Sequence, residues 1–234
     1  MTDAHCHVTG GDPAVREFLI GRNFVGVHPW DCLGQSTAVE CNRSLSGLRA
    51  ALESDSGLGV GEIGLDRLKE REISPRMREM FEAQLKLALE FRRPVVLHGA
   101  KCWGQVVKTI ANFELRITSE TADGNSQFAI RNSSFLFHGF SRSDGLIPDI
   151  VALGGYISVG PAVLNDHAVN YRELVKKIPL DRLLLETDRT EANAAECPSV
   201  RDVAAKVAEL RGLAPEELEK ITDGNAEKFL VGCR

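Results

Sequence analysis

The chain has 234 residues, 43% of them hydrophobic and 26% charged, with a net charge of −5. That is the balance of a globular protein with room for one large α/β domain. No run approaches the roughly 20 consecutive apolar residues of a membrane span, and the acidic balance excludes a global basic footprint for nucleic acid. An anionic substrate would have to meet a local patch or bound cations.

Asp3-Ala4-His5-Cys6-His7 reads as a strand with both histidines on one side and Cys6 on the other. The opening lacks the basic and apolar regions of a secretory leader. Residues 12–20 read as a helix, with Asp12 as N-cap and Pro13 at the first helical position. Asn23 to His28 reads as a strand that Pro29 ends. Residues 42–54 are helical in pattern, and 57–62 form a glycine-rich strand, a sign of close packing or of a ligand's approach. Pro75 to Arg92 gives the clearest helix, with Met77, Phe81, Leu85 and Ala88 on one stripe. Pro94 to His98 is an apolar run of the buried parallel type. A helix over 103–116 follows, then a polar stretch at 119–133 that reads as an exposed excursion. Further strands are predicted at 134–138, 155–159 and 182–188. His167 falls in a helix-like stretch. Ser199 caps a helix that stops at Gly212, and Pro215 opens another.

Strand–helix alternation predicts a parallel sheet with crossover helices. No G-x-G-x-x-G or Walker loop follows a strand, so a nucleotide-binding open sheet lacks support. A distorted TIM-type (β/α) barrel with seven clear strands fits better. Between His7 and Phe24 there is room for one helix, but not for a helix, a strand and a second helix. With no repeat or linker, residues 1–234 are expected to form a single domain. The six cysteines are scattered without a C-x-x-C pair, which predicts reduced thiols in a cytoplasmic protein and excludes a zinc finger.

Barrel enzymes place their chemistry at the C-terminal ends of the strands. Here those ends carry His5, His7, His28, Glu62, His98, His138 and Asp188. A lone strand-end histidine is more often a core residue satisfied by a hydrogen bond. Five of them, converging with two acids in a barrel mouth, would be costly unless a cation balanced them. Imidazole with carboxylate suits zinc, manganese or iron, with magnesium where carboxylate dominates. Six candidate ligands exceed one tetrahedral ion, and two ions sharing a carboxylate would use them all.

The ordered set Asp3-Ala4-His5-Cys6-His7, Gly26-Val27-His28-Pro29, Gly61-Glu62-Ile63-Gly64-Leu65-Asp66, Pro94 to His98, Phe137-His138-Gly139-Phe140-Ser141 and Glu186-Thr187-Asp188 resembles the TatD family of metal-dependent DNases, in the amidohydrolase superfamily. Ser158-Val159-Gly160-Pro161 and Asn225-Ala226 also fit. The resemblance implies a distorted barrel with two divalent ions. His5, His7, Glu62 and Asp188 would hold one, and Glu62 would bridge to a second held by His98 and His138. Asp188 would also be the base for the attacking water, with DNA as substrate. The chain departs from the family at Ala100-Lys101 and at Arg189-Thr190-Glu191, which marks a short, divergent branch whose substrate need not be DNA.

Lys101, Arg142 and Arg189 follow strand ends and could bind phosphate. Trp30 and Trp103 could stack on a base. His28 could contact substrate or orient a ligand, and Asp66 could support a ligand or cap the next segment. Beside the nuclease reading stand a small-molecule phosphoesterase or amidohydrolase, and a barrel kept as a non-catalytic scaffold. A monomer without membrane contact is expected.

Overall fold

A computed structural model of the protein describes residues 1–33, 38–120 and 134–231, with side chains at 1–33, 43–113 and 134–231. Its strands are β1 (Thr2–Cys6), β2 (Arg16–Leu19), β3 (Phe24–Val25), β4 (Gly59–Asp66), β5 (Val95–Ala100), β6 (Phe135–Phe137), β7 (Gly155–Val159) and β8 (Leu183–Leu185). They pair parallel in chain order, β1 with β2 and then β3 through β8. Ile20 bridges to Phe24, which joins the two sheets. Asp188 N donates to His5 O at 3.0 Å and His7 N donates to Arg189 O at 2.8 Å, which returns the end of β8 to β1. These links close the ring as the TIM-type barrel that the alternation predicts.

Around it lie α1 (Ala38–Ser54), α2 (Pro75–Glu90), α3 (Trp103–Glu120), α4 (Ile147–Ala152), α5 (Val169–Lys177), α6 (Val200–Arg211) and α7 (Pro215–Val231). The caps follow the sequence signals. Ser74 Oγ accepts from Met77 N at 3.1 Å ahead of Pro75. Ser199 and Asp202 form a capping box, and Gly212 ends α6 in the left-handed conformation.

One expectation is overturned between His7 and Phe24. Residues 12–20 form a turn and a strand, not a helix. Asp12 Oδ1 accepts from Ala14 N at 2.9 Å and Asp12 O accepts from Val15 N at 3.0 Å, so the Asp-Pro pair closes a turn. Arg16–Leu19 then adds an eighth strand to the seven expected. A cap signal contributes only about 1 kcal/mol, and a barrel left open between β1 and β3 would expose two unpaired edges. His167 likewise lies in an exposed turn before α5, not in a helix. Of the excursion expected at 119–133, residues 119 and 120 instead continue α3, and 121–133 lie outside the described residues.

The period-2 alternation of the strands sorts the interior into layers. Leu97, Phe135, Phe137, Ile157, Val159, Leu183 and Leu185 belong to the apolar cluster shared with the helices. Val96, Leu136, Tyr156 and Leu184 point the other way and join Ala4, Phe18, Phe24 and Phe229 in a second cluster inside the ring. The Phe24 and Phe229 rings stack at 6.0 Å, so α7 helps to plug the barrel floor. Two residues further along the same strands come His98, His138, Ser158 and Glu186. The barrel is therefore apolar at its floor and polar at its mouth. Gly64 lets β4 pass close to β5: at φ +149° a Cβ there would meet His98 O at 2.0 Å.

Candidate metal centre

Glu62 is buried, and its two oxygens divide the mouth. Oε2 lies 3.6 Å from His5 Nε2 and 3.7 Å from His7 Nε2. Asp188 Oδ1 completes this half, 3.5 Å from His5 Nε2 and 3.6 Å from His7 Nε2. Oε1 contacts His98 Nδ1, lies 2.6 Å from His138 Nε2 and 3.6 Å from His28 Nε2. All six predicted ligands thus meet at one carboxylate, and His28 joins them.

The first half has the spacing of a coordination shell. Bonds of ~2.0–2.2 Å to a tetrahedral ion set its ligands about 3.4 Å apart. His5 is wholly buried, and neither ring nitrogen makes a hydrogen bond. A buried orphan imidazole facing two carboxylates is what a divalent cation would satisfy, so the donor set fits a metal. Burial, then His138, lowers the pKa of His5 to about 4, leaving one ring nitrogen with a free lone pair at neutral pH. Asp188 reaches the cluster from a left-handed turn at φ +49°, with its side chain half exposed.

The second half is held by hydrogen bonds. His98 Nε2 lies 2.7 Å from buried Asp66 Oδ2 and Nδ1 contacts Glu62 Oε1, so the protonated ring donates to both carboxylates, and loss of the Nδ1 proton would free that nitrogen for a metal. His138 turns Nδ1 toward Glu186 Oε2 at 3.8 Å and Nε2 toward Glu62. His28 is arranged the other way. Its Nδ1 accepts from Trp30 N at 3.1 Å, so in the neutral ring Nε2 carries the proton. His28 is therefore a donor toward the centre, while His98 and His138 can become ligands.

The charges follow this geometry. Burial pushes the Glu62 carboxyl up, but His138 and the neighbouring imidazoles overturn that and hold it well below its usual value. Burial lowers His138, yet Glu62, Glu186 and Asp188 raise it to about 10. Burial also lowers His98, and Asp66 with Glu62 outweighs it to give a net rise. Burial raises Asp188, but His5 and His138 bring it below the ordinary range.

Three supporting groups escaped the sequence reading. Glu186 is buried with Oε2 accepting from Ser158 Oγ at 2.5 Å and Oε1 from Gly139 N at 2.7 Å, and burial raises it to about 7. Asp3 accepts from Thr187 N at 3.0 Å and Thr187 Oγ1 at 2.6 Å, tying the start of β1 to the residue before Asp188. Gln84 of α2 takes both backbone groups of Val27, accepting from N at 2.6 Å and donating to O at 3.1 Å. That fixes the chain beyond the two-residue strand β3, and with it His28. Strand-end position was a usable signal for Glu186; Gln84, 57 residues from Val27, had none.

The outer candidates divide. Lys101 and Arg142 stand exposed after β5 and β6, in left-handed turns, with no ion pair among the described residues. Arg142 borders a cleft of about 1260 Å³ that opens beside Asp188 and Glu186. Arg189 is not free for phosphate: Nη1 donates to Ala194 O at 2.7 Å and Nη2 to Cys197 O at 3.0 Å, stapling the loop after β8. Trp103 is buried against Phe137 and Phe140 and cannot meet a base, whereas Trp30 is exposed beside His28. Asp66 does both things expected of it, holding His98 while accepting from Leu68 N at 2.6 Å. Cys6 faces β2, its Sγ 3.9 Å from Phe18 O.

The sequence matches the family described as TatD related DNase over residues 14–231. It is 28% identical over 214 residues to the uncharacterized metal-dependent hydrolase YabD of Bacillus subtilis, covering 88% of this chain and 75% of that one. It is 26% identical over 213 residues to the 3′-5′ ssDNA/RNA exonuclease TatD of Pantoea vagans, covering 86% and 74%. The crystal structure of the TatD homolog YjjV from Escherichia coli shares the fold, with a TM-score of 0.75 over 98% of this chain and 97% of that one, at 23% identity. With its imidazoles and carboxylates gathered at one barrel mouth, the chain belongs to the TatD-related DNase family of metal-dependent hydrolases.

Proposed function

We propose that the protein hydrolyses phosphodiester bonds at the end of a nucleic-acid strand, using two divalent ions. The observation that carries this reading is the divided carboxylate of Glu62, one oxygen toward His5, His7 and Asp188 and the other toward His98 and His138. Zinc, manganese or magnesium bound there would polarise a phosphoryl oxygen and lower the pKa of water toward ~7. His5, His7, Glu62 and Asp188 are the ligands on one side, and Glu62, His98 and His138 on the other. Asp188 is the residue suited to take the proton of the attacking water, because its carboxylate is half exposed and held ionised by the imidazoles behind it. His28 donates through Nε2 toward a phosphoryl oxygen, fixed in that tautomer by the Trp30 amide. Arg142 and Lys101 are the exposed cations available to the rest of the phosphate chain.

The whole chain, residues 1–234, works in this reading as one hydrolase domain, a cytoplasmic monomer. Among the described residues Cys6, Cys102 and Cys197 are free thiols, in keeping with a reducing compartment. No helix among the described residues is long and apolar enough to cross a membrane.

The test is metal-loaded protein incubated with end-labelled single-stranded DNA and RNA. Release of mononucleotides, lost on chelation, is the expected result. No cleavage across magnesium, manganese and zinc would sink the nuclease reading. One observation favours a second reading. The cleft beside Asp188 carries Asp144, Glu173, Glu186, Asp188 and Glu196 against Arg142 and Lys177, and Lys177 is already paired to Asp144. That balance suits a small phosphoester with little charge beyond the scissile group. Faster turnover of small phosphodiesters than of oligonucleotides would select it.

A further inference from the structure

We propose that Trp30 and Lys69 form a nucleobase subsite on the β3–β4 flank of the mouth, a proposal that rests on the nucleic-acid reading above. Four large apolar side chains are exposed among the described residues, and two of them, Trp30 and Leu68, stand on this flank. Trp30 is 41% exposed yet held in place. Its ring meets His28 edge-on at 4.9 Å, and its indole N–H donates to Asp66, the carboxylate that also holds His98. A fixed aromatic ring open to solvent, 6.3 Å from a ring of the metal centre, lies within one nucleotide's reach of a phosphate bound there.

The ammonium of Lys69 rests 3.7 Å from the centre of the indole ring. An exposed cation–π contact is weaker than stacking of a base on an aromatic ring. An arriving base therefore displaces the lysine, whose flexible stem leaves the ammonium free for the neighbouring phosphate. The same pair covers the ring when the site is empty and neutralises the phosphate when it is filled. Any base has a face to stack, so the subsite selects for the presence of a base and not for its identity.

The protein has two tryptophans, and Trp103 is buried beyond a ligand's reach, so quenching of intrinsic fluorescence by a stacked base reports on Trp30. Metal-loaded protein is titrated with phosphorothioate-linked oligothymidine and with an abasic oligomer of the same length and linkage. The thymidine oligomer is expected to quench the fluorescence and to bind about tenfold more tightly than the abasic one. Trp30→Ala is expected to erase that difference. Trp30→Phe, which keeps a ring but loses the N–H to Asp66, is expected to retain most of it, by competition against a labelled oligomer. Equal affinity of the wild type for both polymers, or a preference that survives in Trp30→Ala, overturns the proposal while leaving hydrolysis intact. Protein that carries its ions but neither binds nor cleaves either polymer overturns the nucleic-acid reading itself.

Discussion

The two sides of Glu62 use the same residue types and prepare them in opposite ways. On the Oε1 side each imidazole is already engaged. Asp66 holds His98, Glu186 faces His138, the Trp30 amide fixes His28, and Glu62 itself accepts from the ring. On the Oε2 side His5 has no hydrogen bond although it is buried, and His7 is a third exposed. The first side is preorganised by protons and keeps its shape without an ion. The second has the spacing of a shell and leaves a buried polar group unpaired until a cation arrives. In the proposed two-ion centre, ion binding would therefore be an exchange of protons for metal on one side and a simple filling on the other.

Glu62→Gln breaks the comparison at its root, since it removes the charge that both sides share. The expected result is a fall in turnover of at least ~10³-fold, the loss of several kcal/mol of charge stabilisation. Elemental analysis should find fewer than two ions per chain, with circular dichroism unchanged. Two ions retained per chain would mean that Glu62 is not the bridge.

Asp188→Asn acts on the open side alone. It keeps the shape and removes the proton acceptor, so kcat should fall on the order of 10²-fold. The His98–His138 side should still load through its contacts to Glu62, with Asp188 acting on His138 by charge alone. Loss of both ions in this variant would show that the two sides do not fill independently.

The open side was the more legible one in the sequence. His5 and His7 stand two apart where a strand ends, and Glu62 and Asp188 close apolar runs, so the period-2 pattern and the barrel rule together bring them to one mouth. The preorganised side depends on long-range pairings that no local pattern reveals. Asp66 is bound to His98 across 32 residues and Gln84 to Val27 across 57. Glu-Thr-Asp marks its aspartate as the ligand by sequence, yet Glu186 is the more buried acid. Strand ends also say nothing about which way the next side chain turns, so Trp103 and Arg189 were candidates until packing assigned one to the core and the other to a loop. Strand β2 was hidden because four residues with one buried side chain barely alternate, while Asp12-Pro13 imitates a helix start. Closure of the ring, not local propensity, decides that segment.

Asp66→Asn tests the preorganised side through its outer carboxylate. Burial raises Asp66, but His98 and the Leu68 amide outweigh it and bring it to about 2, so it is a carboxylate throughout the working range. The amide can no longer hold the His98 proton as strongly. Metal affinity on this side should drop about 10–100-fold, read by titration against a chelating dye, while the Oε2 side keeps its affinity. An equal loss on both sides would mean that Asp66 supports the fold of the mouth as a whole.

The pH dependence of metal binding separates the two sides without any substitution. His138 has its pKa raised from 6.5 to about 10 in the metal-free protein, so it is protonated at pH 8. Its contribution to the stability of that state is complete below 6.5 and is lost as pH rises through about 10. An ion on the Oε1 side must displace this proton, so its affinity should rise about tenfold per pH unit across pH 7–9. His5, at about 4, has already lost its proton there, so it gives the Oε2 side no such slope. With ion in excess, the tenfold step adds about 3–5 °C to the metal-induced rise in Tm for each pH unit. Calorimetry in buffers of different ionisation enthalpy should count close to one proton released for one of two bound ions. Two ions that bind with the same pH slope would mean that the sides of Glu62 are prepared alike, and that the hydrogen bonds to His98 and His138 do not compete with the metal.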